Sequence, residues 1–136
     1  MVAYRDDQVQ RAASGSYGTG TIRRNKTLQT ADATATVIDA SPTVAVAQAV
    51  MIRGGVVGKK SDGTAVIDAQ VSGSARRQSA GNVTVVGTPL VVSRTNGVTP
   101  AVTFNANTTT QQLEIKVAGI AAETWQWESN LEFTLI

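Results

Sequence analysis

Glu128 and Glu132 fall on one face of a β-periodic stretch, and a pair of carboxylates on one wall is what a glycoside hydrolase needs. Four residues apart on a strand, however, they are separated by about 13 Å, too far to share a reacting bond. Glu114 belongs to another strand and reads as part of a solvated face. Other acid–base and nucleophilic chemistry is closed by composition. The sequence contains no histidine and no cysteine, which removes the Ser-His-Asp and Cys-His arrangements, thiolate metal sites and disulfides. Asp32 and Asp62-Gly63 offer oxygen ligands but not the spacing of a calcium loop. Gly15 to Gly20 lacks the Lys-Ser/Thr that a phosphate loop requires. Gly54-Gly55 with Gly58 copies a dinucleotide fingerprint without the helix that must follow it. No catalytic residue, metal or cofactor is expected, and the reading is that of a non-enzyme.

The basic pairs Arg23-Arg24, Lys59-Lys60 and Arg76-Arg77 raise the question of nucleic acid. The formal charge is only +2, the last two pairs stand at opposite ends of an expected hairpin, and no aromatic platforms are interleaved with them. These features argue against a nucleic-acid partner. No apolar run approaches the length of a bilayer span, and the first residues carry no signal-peptide core, so no membrane step is expected.

The carboxylate pair sits on the stretch that organises the rest. From Trp125 to Leu135 the odd positions read Trp, Trp, Ser, Leu, Phe, Leu and the even ones are polar. This is the period of a strand with one buried face. Carrying so much apolar surface, the strand is expected to pair on both edges, in mid-sheet or across a subunit contact. Trp127 is expected in the core. Trp125, nearer the preceding turn, is expected at a subunit interface. Glu128 and Glu132 lie on the opposite, acidic face.

Upstream, Thr34 to Ile38 reads as a short strand, and Val44 to Lys60 as a long one with a bulge or bend at Gly54-Gly55. Asp62-Gly63 forms a hairpin tip, and Ala65 to Arg77 returns with Ile67, Ala69 and Val71 facing inward. Val83 to Gly87, Leu90 to Arg94, Ala101 to Phe104 and Leu113 to Val117 follow between turn signals, with a polar loop at Asn105 to Thr110. About eight strands with turns every ten or so residues predict an all-β protein, a β-sandwich of jelly-roll or Greek-key type. Small side chains dominate and aromatics are 4% of residues, so the core is thin and assembly is expected to supply part of the stability.

Residues 1–28 differ, and the sandwich domain is assigned to 29–136. Val2 to Ala13 could form a short helix, and the Gly/Ser stretch after it has neither period. An extended arm that orders against something else is one reading, and a disordered tail is the other. Residues 1–30 carry five basic and two acidic side chains, net +3; residues 112–136 carry four acidic and one basic, net −3. Arg5, Arg11, Tyr17, Arg23, Arg24 and Lys26 are therefore candidate arm contacts, and Trp125, Trp127, Glu128 and Glu132 candidate partners on the closing strand.

In order along the chain, Thr30 to Ile38, Val56 to Gly63, Gly73 to Arg77, Gly81 to Pro89, Leu113 to Ala121 and Thr124 to Trp127 resemble a recurrent β module of tailed-bacteriophage virion structural proteins. In that family a Thr-x-Asp-Ala-Thr-Pro-Thr opening and an Ile-x-Val-x-Gly … Thr-x-x-Trp ending bracket the module, matched here by Thr30 to Thr34, Ile115 to Gly119 and Thr124 to Trp127. The chain departs from that pattern in lacking a proline after Thr34 and in carrying Trp125 where an aliphatic is usual. The resemblance implies a compact β domain serving as capsid decoration (cement), head-fibre or tail-appendage material, commonly a homotrimer. The partners it implies are further copies of the chain and the major capsid protein or other virion proteins, on a virion assembled in the host cytoplasm. The alternative is a fibre or appendage module whose loops touch a host surface.

Overall fold

The computed structural model describes residues 19–96 and 100–136, and among them nine strands and no helix. They are β1 Gly20–Thr30, β2 Thr36–Ala40, β3 Ala49–Lys60, β4 Val66–Arg77, β5 Val83–Val85, β6 Leu90–Thr95, β7 Ala101–Asn107, β8 Gln112–Ala118 and β9 Trp125–Leu135. All pairings are antiparallel. The larger sheet runs β1-β9-β3-β4, with β5 and β6 end to end along the far side of β4; the smaller runs β2-β8-β7. The chain crosses between sheets after β1, β2, β6 and β8, and the two sheets form a β-sandwich.

Strand β9 is central and hydrogen-bonded along both edges, to β1 and to β3. Its alternation holds without a break: Trp125, Trp127, Ser129, Leu131, Phe133 and Leu135 are all buried. Facing them across the sandwich are Leu113, Ile115 and Val117 of β8 and Val102 of β7. The small residues around β9 make room for its rings. Gly58 of β3 stands opposite Trp127, and a Cβ there would come within 2.6 Å of the indole. A Cβ at Gly73 would likewise meet the Phe104 ring from the other sheet at 2.7 Å. The low aromatic content is thus compensated by deep placement of the few large rings, each worth far more burial than an alanine.

Several expectations shift. The long strand starts at Ala49, because a turn at Val46-Ala47, with Ala47 at φ 68°, separates it from Val44. Gly54-Gly55 makes no bulge, since the registers to β4 and β9 run through both residues unbroken. Gly54 is instead a site of close approach: at φ 149° a Cβ would lie 2.1 Å from the Asn130 carbonyl oxygen. Strand β7 continues through Asn105 to Asn107, where a polar loop is expected. The hairpin tip forms at Asp62-Gly63, with Gly63 at φ 79° and Asp62 Oδ1 accepting from the Thr64 amide (2.9 Å) and hydroxyl (2.7 Å). That hydroxyl and amide, and then Lys60, hold the Asp62 carboxyl below its usual value.

Of the stretch assigned to an arm, residues 1–18, with the helix considered at Val2 to Ala13, lie outside the described residues. Gly20 to Leu28 are the greater part of β1, and the boundary drawn at residue 28 falls inside that strand.

Candidate functional site

Strand β1 brings the basic residues of the N-terminal stretch onto β9 in a fixed register. Arg23 stands opposite Glu132, Arg24 opposite Leu131 and Lys26 opposite Ser129. Alternation then sends Arg23 to the outward face and Arg24 inward. Arg5, Arg11 and Tyr17 lie outside the described residues.

On the outward face the side chains of three adjacent strands form cross-strand ladders. Glu132 accepts from Arg23 Nε (3.0 Å) through one oxygen and from Arg53 Nη2 of β3 (2.9 Å) through the other. The Arg53 hydrogen bond, seconded by Arg23, lowers the Glu132 pKa below the ordinary carboxylate value despite some desolvation. One step along, Asn25 Nδ2 donates to Glu128 Oε2 (2.8 Å) and to Asn130 Oδ1 (2.7 Å). The next position the other way joins the Thr21 and Thr134 hydroxyls at 3.2 Å. An open depression of about 360 Å³ lies over Arg23, Arg53 and Glu132. Both carboxylates of the pair considered for acid–base work are thus held by neighbouring donors.

The inward side of β1 is different in kind. Arg24 reaches across the sandwich to Asp39 of β2, with Nη2 3.0 Å from Oδ1 and Nε 3.4 Å from Oδ2. It also donates to the Ala40 carbonyl, and its guanidinium lies 4.6 Å from the centre of the Phe133 ring. The Asp39 side chain is 4% exposed, so this pair sits in a low-dielectric setting where each partner needs the other. Arg24, a candidate arm contact, here ties the edge strand of one sheet to the edge strand of the other.

Trp125 and Trp127 are stacked, their centroids 5.8 Å apart and planes at 28°. Each indole N–H is satisfied, on Glu123 Oε1 and Thr30 Oγ1 respectively, both at 3.0 Å. Trp125, a candidate for interface or core, is fully buried within this chain, and Lys60, its register partner on β3, is paired with Glu123. Among the described residues no group of three or more Asp or Glu side chains could hold a metal ion.

No protein-family model matches the sequence, and no curated protein matches it. Among solved structures, the tailspike protein of Acinetobacter baumannii phage AM24 is similar in fold over 85% of this chain, with a TM-score of 0.41 and 10% sequence identity. The chain spans about a quarter (26%) of that protein's length.

The roles of three polar residues escape a reading of the sequence. Asp39 looks like part of a turn cluster, and Arg53 like one charge in an apolar run. Glu114, expected on a solvated face, is 6% exposed, covered by Asn105 and Asn107, whose amides donate to its two oxygens at 2.9 and 2.7 Å. Once β7 is drawn through Asn107, the register alone sets Asn105 opposite Glu114.

Proposed function

We propose that this chain is a phage virion structural protein, a capsid decoration protein that stabilises the head by bridging neighbouring subunits. Its role is structural and not enzymatic. The observation that carries the reading is the state of the polar groups on the larger sheet. Glu128, Glu132, Arg23, Arg53, Asn25 and Asn130 bind one another in ladders over shallow ground, and Trp125, Trp127 and Phe133 are turned into the core. What such a surface offers a partner is broad sheet and strand edge, the kind of contact that works by adding area across a seam. The sequence resemblance to phage virion β modules supports the same reading, with the major capsid protein and further copies of the chain as partners.

Capsids stripped of the protein and incubated with it should take it up again and melt at a higher temperature. Failure to bind capsids, together with binding to host cells, would replace decoration by the fibre or appendage role.

A further inference from the structure

Strand β6, Leu90–Thr95, lies at the edge of the larger sheet with almost every residue exposed. Its register sets Leu90, Val92 and Arg94 opposite Ser72, Gln70 and Asp68 of β4, so the two aliphatics stand on the outward face beside small or polar neighbours. Leu90 is 60% and Val92 53% exposed. One edge of β6 is bonded to β4, and no strand among the described residues pairs with the other. Proteins commonly guard such an edge with a lysine, a proline, a bulge or an unpaired charge. Leu-Val-Val-Ser-Arg-Thr has none of these: its one charge, Arg94, is already paired with Asp68. The opposite margin of the sheet, β1, carries Arg23 and Lys26, and Lys26 stands in the inward-facing row.

We infer that β6 is a seam for a second copy of this chain, paired antiparallel about a two-fold axis centred on Val92. A two-fold axis normal to the sheet keeps outward side chains outward, so paired positions must have the same parity. Centring on Val92 puts it against Val92 of the second copy, and Leu90 against the aliphatic stem of the second copy's Arg94. Each Arg94 guanidinium stays on its own Asp68, and no unpaired like charges meet. Centring on Val91 would set Pro89, which has no N–H, opposite Ser93 inside the ladder, whereas centring on Val92 leaves it opposite Thr95 at the ladder's end. Centring on Ser93 would carry the aliphatics away from each other. An isologous contact asks only that one patch complement itself, and this strand does so in one register. The inference does not depend on where the protein acts.

The absence of cysteine makes the test direct. Val92→Cys, oxidised in the otherwise unaltered full chain, should give a disulfide-linked dimer, because paired positions in an antiparallel ladder bring Cα atoms to about 4.5–5.5 Å. Val57→Cys, on the same face of the sheet and 46% exposed, should stay largely monomeric. By light scattering the parent should dimerise with concentration, and Val92→Lys should raise the dissociation constant by at least about tenfold with the circular dichroism unchanged. Equal crosslinking of the two cysteine variants would overturn the seam. So would a parent that stays monomeric at millimolar concentration, or an assembly that Val92→Lys leaves intact.

Discussion

The two margins of the larger sheet are built differently. Strand β1 is bonded to β9 at all eleven of its positions, carries charge on both faces and is fastened to the other sheet by Arg24 on buried Asp39. Strand β6 is bonded to β4 over six positions, reaches no buried partner through a charged group and turns Leu90 and Val92 to the outside. The same backbone hydrogen bonding is therefore put to two uses. At one margin the side chains close the fold, and at the other they leave a surface on which a fold can be continued. What distinguishes them is where each charge points, because a cation in the inward row must either find a buried anion, as Arg24 does, or repel an incoming strand.

The strongest test of the closed margin is Arg24→Met, which keeps the stem and removes the charge. Asp39 would then be a buried carboxylate without a cation. We expect denaturant unfolding to show a loss of about 3 kcal/mol, the lower end for breaking a buried pair because Arg24 itself keeps some solvent contact. Adding Asp39→Asn should recover much of that loss, since the penalty lies in the stranded charge. A cost below about 1 kcal/mol for Arg24→Met would mean that the β1–β9 ladder alone holds the margin.

A smaller effect is expected from acid. The carboxyl of Glu132 has a folded pKa below its unfolded value, through Arg53 and then Arg23. Its contribution to stability is therefore fully present above the ordinary value of 4.5 and is lost as the pH falls through the lower, folded value. Because both arginines are exposed, the contribution is at most about 1 kcal/mol. Comparing the parent with Glu132→Gln in urea at neutral pH and near pH 3 should show the difference at neutral pH and its disappearance in acid. A difference that grew in acid would reverse the sign of the argument.

This contrast between margins was only half legible in the sequence. The sandwich, the β3–β4 hairpin and the inward row of β9 follow from period and turn chemistry, because Trp127, Leu131 and Phe133 alternate without interruption. Strand β1 does not announce itself, since its inward row reads Ile22, Arg24, Lys26, Leu28 and two cations interrupt the apolar period. Only pairing with β9 makes it a strand. The Arg23–Glu132–Arg53 row was equally hidden: opposite net charges at the two ends of the chain hinted at attraction, but the row exists only when β1, β9 and β3 lie side by side in one register. For Trp125 interface and core both stood open, because nearness to a turn suggests exposure, whereas here its ring is buried and Glu123 takes its N–H. The exposure of β6 was not legible, because Leu90, Val91 and Val92 read as core strand residues.

The smallest expected change in stability gives the sharpest comparison. Lys26 lies in the inward row of β1 opposite Ser129, exposed at the rim. Replacing it by valine touches neither the Arg24–Asp39 pair nor the β9 ladder, so unfolding should shift by no more than about 0.5 kcal/mol. The edge would meanwhile lose a charge that any incoming strand must bury. Made in the Val92→Lys background, where the β6 seam is closed, Lys26→Val should produce concentration-dependent association by light scattering that Val92→Lys alone lacks. If the double variant stays monomeric, Lys26 is not the guard, and protection of β1 must come from Arg23 on the outward face; Arg23→Val in the same background would then be the variant that associates.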